Sequence, residues 1–173
     1  MDRKYDVHGE TDKPVNTGEA MGKYFVMSVR FNKCSALDFG LIPKDSGTAI
    51  DPNDNSIWVK TELYDFGWGK NGFYKAPLPD FDTLLELVLH SEDRDDMYGA
   101  AAIILEKYAD ELLYRCEAMM NDPLRKKEFR RSAEVFRLEE PLNRCSVDQK
   151  TSEQIKSNHT RWKKIAQAAG KIR

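Results

Sequence analysis

The chain of 173 residues is long enough for one domain to bury a core without support from disulfides or metals. Hydrophobic residues make up 40% of it and charged residues 32%, a balance typical of globular proteins that argues against a disordered chain. The longest apolar run, residues 97–105, is much shorter than the roughly 20 residues of a membrane-spanning helix, and the first residues lack the apolar segment of a secretion signal. These features predict a cytoplasmic protein with no membrane partner.

Charge is distributed unevenly along the chain. The net charge is -2, but residues 1–122 carry 13 Lys and Arg against 23 Asp and Glu, whereas residues 123–173 carry 14 against 6. The first part is therefore strongly acidic and the second part basic. Such a distribution indicates either two faces for two kinds of partner or two parts of one protein that attract each other.

The N-terminal half has the pattern of a loose arm followed by a small antiparallel sheet. Residues 1–20 are polar and predict the arm. Alternating side chains predict strands over residues 23–31, with one buried face, and over residues 56–66, separated by a long irregular connection. Asn71 and Gly72 predict a tight type I′ turn, which leads to a short third strand around residues 73–75.

From residue 80 the apolar period changes to that of helices. The pattern predicts helices over residues 80–90, 91–121, 123–139 and 151–169, with acidic or hydroxyl caps at their first residues. The sequence thus predicts an α+β fold: a small N-terminal antiparallel sheet of about three strands packed on a C-terminal bundle of about four helices. A single domain over residues 21–173 would contain a sheet part (21–79) and a helical part (80–173).

No pattern in the sequence predicts a catalytic residue or a metal site. His8, His90 and His159 have no cysteine, histidine or carboxylate at a metal-ligand spacing. Glycine-rich phosphate loops and the common hydrolase and zinc motifs are missing from the sequence, so we expect no cofactor. The three cysteines follow no recurring spacing and are expected to be reduced thiols: Cys34, Cys116 and Cys145.

One stretch has the oxygen spacing of a calcium loop. Asp51, Asn53, Asn55 and Glu62 fit the first, third, fifth and twelfth positions of such a loop. Ser56 occupies the sixth position, where the loop requires glycine, and the flanking sequence is typical of strands rather than helices. We therefore expect a turn held by Asx side chains rather than a metal site.

Aromatic and acidic side chains concentrate on the predicted hairpin and favour a binding role. Tyr and Trp bury large contact areas at low entropic cost, and nearby carboxylates select a basic partner. Alternatively, part of the aromatic set forms the second core face of the sheet. The leading hypothesis is a non-enzymatic protein–protein interaction module of the inhibitor, adaptor or immunity type. The predicted partner-binding residues are Trp58, Glu62, Tyr64, Asp65 and Trp68.

Two other functions stay open. The last two helices carry basic residues that could grip the phosphates of a nucleic acid, although the acidic part of the chain disfavours this partner. An enzyme whose site is assembled from scattered residues is the third alternative. The adjacent carboxylates Asp95 and Asp96 point to different sides of a helix, so they are expected to be solvated rather than catalytic. The predicted phosphate-binding residues are Lys126, Lys127, Arg130, Arg131, Arg161, Lys163 and Lys164.

Overall fold

A computed structural model of the chain describes residues 24–28, 34–65 and 68–172, with the backbone alone at residues 62–65 and 68–70. The predicted arm and the end of the first predicted strand lie outside the described residues. The architecture is α+β, as predicted, with an antiparallel sheet in the N-terminal half and helices in the C-terminal half. Within the described part of the chain the sheet has five strands rather than about three, and five α-helices are present rather than about four.

All neighbouring strands of the sheet are antiparallel, and their order is β1-β5-β4-β3-β2. The predicted strand over residues 56–66 corresponds to β4, and the predicted third strand is the end of a longer β5. The strands are β1 (Phe25–Met27), β2 (Ile42–Pro43), β3 (Thr48–Ile50), β4 (Ile57–Asp65) and β5 (Trp68–Lys75).

The connection before β4 is more regular than the sequence predicts. It holds β2, β3 and a 3-10 helix, Ala36–Phe39. Ser35 and Asp38 form a capping box at the start of this helix, and Gly40 ends it in the left-handed region at a φ of 71°. The two strands are only two and three residues long, so they are too short for alternation to reveal them.

The position of the hairpin turn differs from the prediction. Asn71 lies opposite Glu62 and Gly72 lies opposite Thr61, both within the β4–β5 ladder. The predicted type I′ turn at Asn71 and Gly72 is therefore wrong. The two strands are joined instead through residues 66–67, which lie outside the described residues.

The helices begin at the predicted signals. Asp80 accepts a hydrogen bond from the Thr83 N–H at the start of α1, and Thr151 forms a capping box with Gln154 at the start of α5.

The predicted single helix over residues 91–121 is wrong, because the backbone breaks at Tyr108, where φ is -130° and ψ is 27°. The helices are α1 (Phe81–His90), α2 (Arg94–Lys107), α3 (Ala109–Asn121), α4 (Lys126–Val135), which follows a 3-10 turn at Pro123–Arg125, and α5 (Ser152–Gly170). In the described part of the chain, no helix combines the length and the apolar character needed to cross a bilayer.

Hydrophobic side chains are buried on both faces of the sheet. The larger cluster lies between the sheet and the helices and includes Phe25, Ile104 and Leu112. The smaller cluster includes Val26 and Trp58 together with Leu41, Phe73 and two alanines. Because Phe25 and Val26 are both buried, β1 has two buried faces rather than the one that its alternation predicts.

The first turn of α2 covers the outer edge of the sheet. The Asp96 carboxylate accepts hydrogen bonds from the backbone N–H groups of Tyr24 at 2.8 Å and Phe25 at 2.9 Å, and Asp95 accepts one from Met27 at 3.0 Å. Asp96 is only 3% exposed. The expectation that these adjacent carboxylates are solvated is therefore wrong, because they satisfy the unpaired donors of an edge strand.

Candidate interaction surfaces

Strands β4 and β5 continue past the neighbouring strands. On one side, β3 pairs with β4 only as far as Val59, after which the Lys60 N–H donates to the Gly47 carbonyl at 2.8 Å. On the other side, the described part of β1 ends where the Ser28 N–H donates to the Asn71 carbonyl at 3.0 Å. Beyond these points, among the described residues, β4 and β5 pair only with each other.

We call this extension the β4–β5 ribbon and define it as residues 62–65 and 68–71. Its register runs from Glu62 opposite Asn71 to Asp65 opposite Trp68. With four residues on each strand, the ribbon is about 13 Å long at the usual rise of a strand. Four of the five predicted partner-binding residues belong to it, and their side chains lie outside what is described: Glu62, Tyr64, Asp65 and Trp68.

The fifth predicted partner-binding residue, Trp58, is part of the core. Its side chain is 2% exposed, and its indole N–H donates to the Ser56 hydroxyl at 3.0 Å. The alternative that part of the aromatic set forms a core face of the sheet therefore holds for Trp58. Near it, the Lys75 ammonium pairs with the Asp54 carboxylate at 2.6 Å. Trp58 thus anchors the base of the hairpin, four residues before the ribbon begins.

The two outer edges of the sheet are poor sites for another strand. On the β1 edge, Asp95 and Asp96 accept the N–H groups of Met27 and Phe25. The β2 strand has only two residues, and one of them, Pro43, has no N–H to donate. No described strand pairs with the β4 edge beyond Lys60, so this part of the ribbon is the accessible backbone edge among the described residues.

Two of the seven predicted phosphate-binding residues have structural roles. Arg131 donates to the carbonyls of Val88 at 3.4 Å and Ser91 at 3.3 Å, at the end of α1. Arg161 forms a two-point contact with the Glu117 carboxylate, with its Nε 2.8 Å from one oxygen, and the guanidinium lies 4.3 Å from the centre of the Tyr114 ring. The bond to Glu117 raises the pKa of Arg161 above its usual range.

The other five residues lie on the surface of α4 and α5. Their side chains are exposed and make no hydrogen bond or ion pair with any other described residue. They are therefore the part of the predicted set that is accessible to a partner: Lys126, Lys127, Arg130, Lys163 and Lys164.

The described cysteines are free thiols. Burial raises the pKa of Cys116 to about 12, and burial together with a hydrogen bond to Asp110 raises the pKa of Cys145 to about 11. Burial also raises the pKa of Cys34, although the nearby Lys60 opposes it. All three are neutral at neutral pH, which is a poor state for a nucleophile.

The described residues bring no histidine into a catalytic or metal-binding arrangement. His90 and His159 are exposed, and the partner of His90 is the Glu86 carboxylate at 3.4 Å. His8 lies outside the described residues. A search of the described chain finds no group of three or more His, Cys, Asp and Glu residues that could hold a metal ion.

The stretch with calcium-loop spacing forms a turn held by its own side chains. The Asp51 carboxylate accepts hydrogen bonds from the backbone and side-chain N–H groups of Asn53, both at 2.9 Å. Asp54 accepts the Ser56 N–H at 2.8 Å. The expected Asx turn is confirmed.

Comparisons with protein-family models, with curated proteins and with solved structures find no match to this chain.

Proposed function

We propose that this protein is a non-enzymatic interaction module of the inhibitor, adaptor or immunity type, and that the β4–β5 ribbon binds its protein partner. The observation that carries this proposal is that β4 and β5 extend beyond the described parts of the neighbouring strands, at the residues where aromatic and acidic side chains concentrate in the sequence. Such an extension offers contact area that the described core does not use.

The structure around the ribbon supports a binding role in two ways. First, buried Trp58 and the ion pair between Lys75 and Asp54 attach the base of the hairpin to the rest of the sheet. Second, no described strand pairs with the β4 edge at Glu62 and Tyr64, and addition of a strand to such an edge is a common mode of peptide recognition. The carboxylates of Glu62 and Asp65 favour a partner with a basic surface.

Charge reversal on the ribbon tests this proposal. The variant E62K/D65K/W68A should lose co-purification of its partner while it keeps a cooperative unfolding transition. A matched control is E106K/E111K/L124A, which makes the same charge change and removes one exposed apolar side chain on the helices. Retention of every partner by a folded ribbon variant would contradict the proposal.

Nucleic-acid binding stays the second candidate, because five of its seven predicted residues are exposed and have no partner among the residues that the structure describes. It predicts association with DNA or RNA that weakens steeply as the salt concentration rises. A gel shift at low ionic strength measures this directly, and no shift at low salt would remove the candidate.

A further inference from the structure

A groove runs between α4, the segment of residues 136–141 and α5. It consists of two adjoining clefts of about 430 Å³ and 440 Å³, both of which Glu139 lines. Three buried alanines form its apolar floor: Ala133, Ala166 and Ala169. On α5 the lining extends from Lys163 to Ala169, a distance of about 9 Å at the rise of an α-helix, and it continues to Ile172 just after the helix ends. We call this feature the α4–α5 groove.

Three cations and two carboxylates line the groove, Arg130, Arg137 and Lys163 against Glu134 and Glu139. Arg130 stands at one end and Lys163 at the other, and neither side chain has a partner among the described residues. Lys126 and Lys127 extend the positive charge of α4, since they precede Arg130 by four and three residues and so share its side of the helix. Because this charge is not neutralised within the described protein, it favours an acidic occupant.

The turn that closes one side of the groove is held in a fixed conformation. Arg137 follows α4 in the left-handed region, at a φ of 49°, where glycine is the usual residue. The Arg144 guanidinium donates to the carbonyls of Phe136 at 3.1 Å and Arg137 at 2.6 Å. The groove is therefore preformed, and a ligand would not have to order this wall on binding.

From these observations we infer that the α4–α5 groove binds an acidic amphipathic segment of a partner protein. The apolar side chains of that segment lie on the alanine floor, and its carboxylates meet Arg130 and Lys163. A nucleic acid fits less well, because the floor of the groove is apolar and suits the apolar side of an amphipathic segment. The described lining residues also include no aromatic ring on which a base could stack.

This site is separate from the β4–β5 ribbon. The ribbon belongs to the sheet and suits a basic partner, whereas the groove belongs to the last two helices and suits an acidic one. A protein with both surfaces would bring together two partners of opposite charge. The groove does not depend on the ribbon, so each is tested by its own variant.

The test measures binding of a labelled amphipathic Leu/Glu helical peptide by fluorescence anisotropy. The wild-type protein should bind the peptide, and R130E/K163E should bind it at least about tenfold more weakly, because both positive ends of the groove are reversed. The matched control K44E/K107E makes the same charge change at exposed lysines outside the groove lining and should bind like the wild type. All four side chains are exposed, so circular dichroism should show each variant folded.

Three results would overturn the inference. The first is equal peptide binding by the wild type and R130E/K163E. The second is failure of the wild type to bind the peptide while it binds a labelled DNA duplex in a manner that R130E/K163E abolishes. The third is self-association of the wild type that R130E/K163E abolishes, which would make a second copy of the chain the occupant of the groove.

Discussion

The Asp96 carboxylate joins the start of α2 to the edge of the sheet at β1. Asp96 is almost fully buried, yet it carries a carboxylate, and the two backbone N–H groups that it accepts belong to a strand with no neighbour on that side in the described sheet. Removing the acceptor would leave the buried Phe25 N–H and the partly buried Tyr24 N–H without this acceptor. The carboxylate therefore stabilises the sheet edge and, at the same time, ties the sheet to the helices.

Substitution of Asp96 by alanine should lower the free energy of unfolding by about 2–4 kcal/mol, the combined cost of a lost charged acceptor and of unsatisfied donors. Urea denaturation measures this change. Glu92 is the control, because it is an exposed carboxylate just before the same helix, and E92A should change stability by less than about 0.5 kcal/mol. Equal effects of the two substitutions would show that the hydrogen bonds accepted by Asp96 contribute little to the free energy of unfolding.

The buried thiols predict a loss of stability at alkaline pH. The pKa values of Cys116 and Cys145 are raised in the folded protein to about 12 and about 11, from ordinary values of 9.0. The unfolded chain thus releases these protons first, so the stabilisation is fully present below pH 9 and is lost as pH rises towards 11 and 12. The variant C116A/C145S should lose less stability than the wild type between pH 9 and pH 11. Parallel stability profiles would contradict this assignment.

Helix α2 and strand β1 approach each other so closely that only glycine fits at the contact. A Cβ atom at Gly99 would lie 2.4 Å from Cγ of Phe25, whose ring is fully buried and cannot move to solvent. The clash outweighs the higher helix propensity of alanine, so G99A should cost about 1–3 kcal/mol of stability.

Gly170 provides the control for this substitution. It ends α5, and a Cβ atom there would meet nothing within 4 Å. Thermal unfolding should therefore show that G170A is neutral or slightly stabilising while G99A lowers the melting temperature. A neutral G99A would mean that α2 can move away from the sheet without cost.

Elements with local signals were predictable from the sequence, and those set by tertiary contacts were not. Caps such as Asp80 and Thr151 mark helix starts because their bonds are local. The break at Tyr108 has no glycine or proline to signal it, and the centre of the Tyr108 ring lies 5.8 Å from that of Phe81, the first residue of α1. The hydrogen bonds that Asp96 accepts from Tyr24 and Phe25 join residues some 70 positions apart in the chain, so no local pattern could reveal them.

For the candidate sites, too, the sequence predicts local features but not tertiary contacts. The sequence located the ribbon residues through their composition, but it could not tell that Trp58 is buried, since alternation does not show which face of a strand is covered. The basic series in α4 and α5 was visible as well. The sequence does not show which of these basic residues have structural roles and which are accessible, because that depends on partners from distant elements, such as Glu117 for Arg161.

At the scale of the whole molecule, the uneven charge distribution is partly neutralised inside the protein. Lys150 and Arg161 from the basic part pair with Asp110 and Glu117 of α3, the first pair at 2.5 Å. Burial opposes ionisation of Asp110, but its bonds to Lys150 and Cys145 outweigh that effect and lower its pKa. The prediction that the two parts attract each other is therefore confirmed for these pairs, while the alternative of two faces for two kinds of partner stays a prediction.

The helices α2 and α3 form the centre of the larger core, and truncation there should weaken the whole fold. Ile104 and Leu112 are fully buried, so replacing either with alanine should cost about 2–5 kcal/mol. Leu124 is 94% exposed, and L124A should be nearly neutral. Chemical denaturation followed by tryptophan fluorescence compares the three variants, and an unchanged stability of I104A or L112A would show that these side chains are not part of the core.

Site-specific photo-cross-linking in the source cell tests whether the β4–β5 ribbon contacts a protein partner. A benzophenone amino acid replaces Tyr64 or Trp68 on the ribbon, and Tyr114, an exposed aromatic residue on α3, serves as the control position. Binding through the ribbon predicts one discrete protein adduct from both ribbon positions, none from position 114, and loss of the adduct when E62K and D65K are added. Adducts of equal yield from all three positions, or an adduct from position 114 alone, would contradict it.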